Sequence, residues 1–190
     1  MINYSHLLGH SVQVQATDEY RNELAVTLTG ANKSLIILSA YVTALGLKWA
    51  INILKGKTIS CDLIVRWSVD DLTSGASSLD VYNIVKDLGW KLYILPELHA
   101  KAILVDEKNL HLGSANLTGA GLGLVSGGNC VLGVVLDATI RDIQAIYAIR
   151  NESVLVTDEL YEAIKSNLSS LQNEKRMPTA CPEIIRSFFD

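Results

Sequence analysis

The sequence predicts an α/β fold in which a mixed β-sheet is flanked by helices on both faces. Three observations lead to this prediction. Strand-like and helix-like segments alternate along the 190 residues, a pattern typical of parallel strands joined by helices. One pair of strand-like segments is joined by a short turn, and such a hairpin adds an antiparallel part to the sheet. Hydrophobic residues make up 49% of the chain and charged residues 19%, so the chain can bury a sizeable core.

The first half of the chain alternates two helices with two strands. Thr17 offers a capping hydroxyl to the first helix, and Gly30 with Asn32 ends it. The apolar face of this helix is formed by Tyr20, Leu24 and Leu28. The next elements are a strand at Leu35–Leu38, a helix from about Leu45 to Lys55, and a strand at Asp62–Trp67. The acidic segment 70–75 is expected to be a loop that faces away from any anionic substrate or forms a rim.

The second half begins with the clearest helix, Ser78–Leu88, which Ser78 can cap and Gly89 ends. The later elements are a strand at Lys91–Leu95, a hairpin of Ala102–Val105 and Leu110–Leu112 turning at Asp106–Asn109, a buried strand at Val131–Leu136, helices at Ile140–Arg150 behind Thr139 and Asp158–Leu171 behind Thr157, and a short segment at Glu183–Phe189. We expect residues 1–190 to form a single domain, with 140–190 as its C-terminal helical extension.

Composition argues against several classes of protein. The net charge of −4 argues against a broad basic surface, so positive charge that binds a nucleic acid must be concentrated in a groove. No apolar stretch is long enough to cross a bilayer, and the N-terminus lacks the pattern of a secretory signal. Cys61, Cys130 and Cys181 are odd in number and without CxxC spacing, which favours small buried thiols over disulfides or metal ligands. We therefore expect a cytoplasmic protein that makes no membrane contact.

One segment carries a dense pattern of polar residues at fixed spacing. It runs H-x-K, then four residues, D, then six residues, G-S-x-N, and its defining positions are His99, Lys101, Asp106, Gly113, Ser114 and Asn116. At ordinary residue frequencies, a chance match has a probability on the order of 10⁻⁶ per chain. The pattern is therefore a strong indication of function.

The chemistry of these residue types suits an anionic substrate. Side chains alternate along a strand, so His99 and Lys101 point to the same face. The lysine binds phosphate oxygens, and its charge opposes a second positive charge on the imidazole, which a nucleophile must not carry. Ser114 and Asn116, also two apart, offer a hydroxyl and an amide for the oxygens of a transferring phosphoryl group. Asp106 orients a site residue or, alternatively, forms the hairpin turn.

The segment resembles the HKD motif of the phospholipase D superfamily at every defining position. The resemblance extends over about residues 30–137 and includes Ser39-Ala40-Tyr41 at a strand end and the glycine-rich stretch after Asn116. It implies that His99 attacks phosphorus and forms a phosphohistidine, that Lys101 and Asn116 bind phosphoryl oxygens with support from Ser114, and that Asp106 has a structural role.

The compact layout with a single motif is most similar to the family's bacterial single-motif nucleases and to the catalytic domains of metal-independent restriction endonucleases. Family members need two motifs, because a second histidine protonates the leaving oxygen. Since this chain has one, the resemblance implies a homodimer that shares one active site, with a nucleic acid, DNA above all, as substrate and with no metal or cofactor. The alternatives are a non-catalytic module that binds DNA or a partner, and a phospholipase.

Other residues carry weaker predictions. Arg66, at the end of a strand, is a candidate phosphate contact, with a surface ion pair as the alternative. Gly113 and Ser39 are further candidates for substrate contacts.

The segment Gly119–Gly123 is expected to be a mobile loop at the rim of the site. His111, Trp67 and Trp90 are expected to be structural. Family members often carry a Glu after the glycine-rich loop, whereas the segment 129–132 has no acid, and this difference favours the non-catalytic alternative.

Overall fold

The computed structural model describes residues 12–173 and confirms the predicted fold class. The strands are β1 (Gln15–Ala16), β2 (Ser34–Ser39), β3 (Ser60–Val65), β4 (Lys91–Ile94), β5 (Lys101–Val105), β6 (Asn109–Gly113), β7 (Leu132–Asp137) and β8 (Val154–Leu155). The helices are α1 (Thr17–Gly30), α2 (Ala44–Leu54), α3 (Val69–Thr73), α4 (Val81–Asp87), α5 (Ile140–Glu152) and α6 (Asp158–Asn173). Within this part of the chain, no helix is both long and apolar enough to cross a bilayer.

All of these strands belong to a single mixed sheet with the order β1-β7-β6-β5-β2-β3-β4-β8. The central strands β2, β3 and β4 are parallel and are joined through helices. The strands β5, β6 and β7 are antiparallel to their neighbours, and β5 pairs with β2. This pairing brings the start of β5 beside the end of β2, because antiparallel neighbours run in opposite directions.

The sheet separates two hydrophobic cores. Leu35 and Ile37 of β2 face the helices α1, α2, α4 and α6, and the alternate residues Ile36 and Leu38 face α5. This alternation follows from the pleat of a strand, and it confirms that helices cover both faces. Trp67 and Trp90 lie in the first core, as predicted.

The acidic segment predicted as a loop contains a short helix, α3. Ser68 caps it by accepting a hydrogen bond from the Asp71 N–H, and the Asp71 side chain accepts one from the Ser68 N–H. Such a capping box satisfies backbone donors that a loop would leave to water. The prediction missed this signal because no apolar periodicity accompanies it.

Two predicted helix caps are wrong. The hydroxyl of Thr17 accepts the N–H of Val131 at 3.2 Å, and the hydroxyl of Ser78 accepts the N–H of Ala44 at 3.3 Å. Each hydroxyl therefore joins two distant parts of the chain, and the cap positions of α1 and α4 are Ala16 and Asp80.

Three further differences concern the ends of the sheet and the cysteines. The two-residue strands β1 and β8 are too short to leave a periodic pattern, and the sequence did not predict them. Cys61 is buried as expected, whereas Cys130 is exposed. The predicted segment Glu183–Phe189 and Cys181 lie outside the described residues.

Candidate active site

The residues of the H-x-K and G-S-x-N patterns meet at one edge of the sheet. Lys101 is the first residue of β5 and pairs with Ser39, the last residue of β2. The strand β6 ends next to β5 at Gly113, so the segment that carries Ser114 and Asn116 leaves the sheet at the same edge. Strand order therefore places the two halves of the pattern together.

His99 and Lys101 form a direct contact. The Nζ of Lys101 lies 3.4 Å from Nδ1 of His99 and donates a hydrogen bond of 2.7 Å to the carbonyl oxygen of the same residue. His99 lies just before β5 and is exposed, so its ring can meet a substrate from solvent. Partial burial, and then the positive charge of Arg66, lower the pKa of Lys101.

The amide of Asn116 is oriented by the backbone of Tyr41. The Tyr41 N–H donates to Oδ1 of Asn116 at 3.2 Å, which leaves the Nδ2 group as a donor. Lys101 and Asn116 line the same small cavity, together with Ser39 and several apolar side chains. An ammonium and an amide donor are therefore found at the same end of the sheet.

Ser39, predicted as a substrate contact, has a structural role. Its side chain is buried, and its hydroxyl accepts the N–H of Leu117 at 2.9 Å and donates to the carbonyl oxygen of Tyr41 at 2.7 Å. These bonds tie the segment after β2 to the segment that carries Asn116. Ser39 therefore positions the site through its hydrogen bonds.

Gly113 is likewise structural. A Cβ on Gly113 would lie 2.7 Å from the carbonyl oxygen of Leu132, so the absence of a side chain lets β7 approach. The neighbouring Ser114 is exposed, and its oxygen accepts the N–H of Leu132 at 3.0 Å. The same hydroxyl donates to the carbonyl oxygen of Leu132 at 3.4 Å, so Ser114 is bound to the start of β7 through both its donor and its acceptor.

Asp106 lies at the far end of β5 from Lys101, away from His99. Its carboxylate accepts hydrogen bonds of 2.8–2.9 Å from the backbone N–H groups of Asn32, Lys33 and Ser34. Burial opposes its ionisation, but the bonds from Ser34, Lys33 and Asn32 outweigh burial and lower the pKa of Asp106. Asp106 is therefore neither a catalytic residue nor the group that orients one, and it holds the start of β2, in agreement with the structural role that the resemblance implies.

Arg66 forms the ion pair that was the alternative to a phosphate contact. It donates to both carboxylate oxygens of Asp71 at 2.8 and 2.6 Å and to the hydroxyl of Tyr41 at 2.7 Å. Burial opposes ionisation of Asp71, but bonds from Arg66 and Ser68 lower the pKa of its carboxyl group. Asp71 thus points inward instead of forming a rim. The contacts of Arg66 with Asp71 and Tyr41 were not predicted, because such contacts leave no repeating pattern along the sequence.

His111 is fully buried on β6, under the site, and both ring nitrogens are without a hydrogen bond within residues 12–173. Its ring packs against the edge of Tyr20, with 6.0 Å between ring centroids. Burial lowers the pKa of His111 to about 4, so the ring is neutral near pH 7. The prediction that His111 is structural agrees with this environment.

The segment Gly119–Gly123, predicted as a mobile rim loop, is fixed by hydrogen bonds to two helices. Nη1 of Arg21 donates to the carbonyl oxygens of Leu122 and Gly123 at 3.0 Å, and Thr43 accepts the N–H of Gly119 at 3.2 Å. Leu122 is buried in the core beneath it. The segment is therefore a support for the backbone of Asn116.

No cluster of three or more His, Cys, Asp or Glu side chains suited to a metal ion occurs in residues 12–173. In the same range, His99 has no carboxylate as a hydrogen-bond partner, and its one side-chain contact is Lys101. The site therefore consists of an exposed imidazole, an ammonium, an amide and a hydroxyl.

Comparison with known proteins gives one family match. The family model described as "Cardiolipin synthase, PLD-like domain" matches residues 24–148, which span β2 to β7 and include every residue of the site. No curated protein matches the chain in sequence.

Several solved structures share the fold at low sequence identity. NucT from Helicobacter pylori superposes with a TM-score of 0.59 at 16% identity, covering 76% of this chain and 99% of that chain. The phospholipase D family member Nuc from Salmonella typhimurium gives 0.57 at 18% identity, covering 78% and 99%. Phosphatidylserine synthase from Haemophilus influenzae Rd KW20 gives 0.56 at 12% identity, covering 96% of this chain but 48% of that one.

Proposed function

Because the chain belongs to the phospholipase D superfamily, we propose that it is a phosphodiesterase, and specifically a metal-independent endonuclease that hydrolyses DNA. The observation that carries the proposal is the cluster at the start of β5. There an exposed imidazole touches the ammonium of Lys101, which shares a cavity with the oriented amide of Asn116. A nucleophile beside fixed donors is what phosphoryl transfer requires.

In the proposed reaction, the unprotonated ring nitrogen of His99 attacks phosphorus and forms a P–N bond. The P–O bond to the leaving group breaks, and the leaving oxygen takes a proton from the partner's His99. Water then attacks the phosphohistidine, gives its proton back to the partner's His99, and releases the phosphate monoester as the P–N bond breaks. Lys101, Asn116 and Ser114 bind the non-bridging oxygens throughout.

A homodimer supplies the second histidine in this proposal. Exposed apolar side chains near the site support such an interface. Leu45 and Val125 flank Gly119, and Leu132 lies beside Ser114, and each of the three is exposed by 44–55%. Apolar groups around a charged centre are suited to being covered by a second copy.

The size of the chain supports the single-motif layout. It covers 99% of the Nuc and NucT chains but only about half of the phosphatidylserine synthase chain. In the proposal, a domain of this size takes its second set of residues from a second copy.

The test is cleavage of plasmid DNA by the purified protein in EDTA. We expect nicking by the wild type and its loss, by about a thousandfold or more, in His99→Ala, because the nucleophile is gone. Asp106→Asn, remote from the site, is the control for general damage to the fold. No cleavage by the wild type, or cleavage that survives in His99→Ala, would refute the proposal. Release of headgroup from phospholipid vesicles would show a phospholipase instead.

One observation favours the second candidate, a non-catalytic module that binds DNA or a partner. Within residues 12–173 no acid contacts His99, whereas family members often have a Glu after the glycine-rich loop. Trapping of a phosphorylated His99 by acid-free quenching and mass spectrometry would exclude this candidate. Binding of DNA with no phosphorylated His99 would favour it.

A further inference from the structure

Arg66 lies beside the proposed site but is one strand further along the sheet. It follows the last residue of β3, and β2 separates β3 from β5, where Lys101 begins. With neighbouring strands about 4.8 Å apart, the ends of β3 and β5 are about 10 Å from each other. Arg66 is therefore offset along the edge from Lys101, and its charge lowers the pKa of Lys101.

The guanidinium of Arg66 is held on one side only. Nε and Nη2 are bound to Asp71 and Tyr41, and the carbon of the guanidinium lies 4.8 Å from the centre of the Tyr41 ring. Within residues 12–173, Nη1 has no hydrogen-bond acceptor. The side chain of Arg66 is 25% exposed and that of Asp71 is 7% exposed, so the carboxylate lies inside and the cation faces outward.

The backbone next to Arg66 is strained. Trp67 has φ of +42°, which is an outlier for a bulky residue, and its side chain is fully buried. Such a conformation is energetically unfavourable and persists only where the surrounding packing enforces it. Together with Asp71 and Tyr41, this turn fixes the guanidinium before any ligand arrives.

We propose that Arg66 binds, through Nη1, the phosphate next to the scissile one, so that the site recognises a polynucleotide strand. The inference rests on the proposed function, in which Lys101 and Asn116 hold the scissile phosphate. Arginine suits this role because its planar donors match phosphate oxygens and the held geometry leaves little freedom to lose on binding. Asp71 and Tyr41 are positioning residues. A phosphate that approaches Nη1 reaches N–H donors first, because the carboxylate of Asp71 lies on the buried side of the guanidinium.

The test uses thymidine trinucleotides, which have two phosphodiesters, in three forms. One form is unmodified, and in each of the other two a neutral methylphosphonate replaces one phosphodiester. Binding to His99→Ala protein is followed by NMR titration, which requires no chemistry. We expect both neutral replacements to weaken binding, one through the loss of the contacts with Lys101 and Asn116 and the other through the loss of the contact with Arg66. The second effect should be about tenfold to a hundredfold, the effect of losing one hydrogen-bonded charge contact.

The comparison variant is the double substitution Arg66→Gln with Asp71→Asn, because removing Arg66 alone would leave Asp71 buried without a partner. In this variant the charge of the flanking phosphate no longer matters, so the unmodified trinucleotide and one of the two neutral forms bind equally, while the other neutral form still binds more weakly. The matched control is Arg150→Gln with Asp62→Asn. Arg150 also pairs with an aspartate at 2.7 Å and lies over a tyrosine ring, Tyr93, but on the α5 face. The control keeps the full preference for the flanking charge.

A protein that is indifferent to either neutral replacement, or a double variant in which both replacements still weaken binding, would overturn the proposal. If the double variant does not fold, the guanidinium resonances of Arg66 in the His99→Ala protein provide the second measurement. These resonances shift when the unmodified trinucleotide is added but not when the form with a neutral flanking phosphate is added. The absence of that difference also overturns the proposal. A protein that prefers the charged flanking phosphate but does not cleave DNA would separate the two proposals. Phosphate binding by Arg66 would then be supported, whereas the hydrolytic function would be refuted.

Discussion

At the scale of single residues, different degrees of burial give two histidines of this chain different chemical properties. His99 is exposed and contacts an ammonium, whereas His111 is fully buried against Tyr20 with no hydrogen bond in the described part of the chain. A buried imidazole without partners is stable only when neutral, because the charged form would lose its hydration. The same residue type is therefore a candidate nucleophile in one place and a core residue in the other.

His111 predicts a specific loss of stability in acid. Its pKa is about 4 in the folded protein and 6.5 as the ordinary value, so the unfolded chain takes up a proton first as the pH falls. The contribution of His111 is fully present above pH 6.5 and is lost towards pH 4, by up to about 3 kcal/mol. We expect His111→Phe to remove this part of the pH dependence. Urea unfolding at pH 7.5 and pH 4.5 measures it.

Acid sensitivity from Asp71 and Asp106, whose pKa values are lowered, remains in both proteins and serves as an internal reference. The prediction would be contradicted if the free energy of unfolding falls by the same amount between the two pH values in the wild type and in His111→Phe.

At the scale of elements, the position of Asn116 depends on close backbone contacts. A Cβ on Gly46 of α2 would lie 2.3 Å from the carbonyl oxygen of Leu117, and a Cβ on Gly121 would lie 2.3 Å from that of Asn116. Ser39 holds the same stretch through the N–H of Leu117. The amide donor is therefore placed by the packing of α2 and the glycine-rich segment against one short piece of backbone.

Gly46→Ala is expected to move that backbone. The added methyl group meets main-chain atoms that cannot rotate away, so we expect a loss of about 1–3 kcal/mol in the free energy of unfolding. We also expect a fall in phosphodiesterase activity larger than the stability loss explains. Denaturant unfolding and plasmid nicking measure the two effects.

Gly30→Ala is the matched control, since Gly30 ends α1 with open space around its Cβ position. It should keep its activity and unfold at about the same denaturant concentration or slightly higher. A Gly46→Ala protein as stable and active as Gly30→Ala would show that the contact does not matter.

At the scale of the whole molecule, one chain provides half of the groups that the proposed reaction needs. A single exposed imidazole can attack phosphorus, but a second proton donor for the leaving oxygen must come from elsewhere. In the proposed homodimer, the exposed Leu45, Val125 and Leu132 would be covered by the second copy.

The proposed shared site predicts how mixed subunits behave. We expect a solution mass of twice the 20.7 kDa chain by analytical ultracentrifugation. After subunit exchange in an equal mixture of wild type and His99→Ala, only dimers with two intact chains are active, so about a quarter of the wild-type activity per total chain should remain. Independent sites would leave about half. A mass of one chain, or a remainder of one half, would contradict the shared site.

The sequence by itself was enough for the α/β class, for most helices and strands, and for the pairing of His99 with Lys101, because periodicity and strand alternation act over a few residues. The family membership also followed from one contiguous motif. The tertiary structure alone decided which polar residues support the site. Asp106 binds the backbone of residues 32–34, Ser39 binds Leu117, and Arg66 binds Tyr41. These contacts join residues far apart in the chain. They exist because β2 lies between β3 and β5, an order that follows from the packing of the whole sheet and not from local spacing.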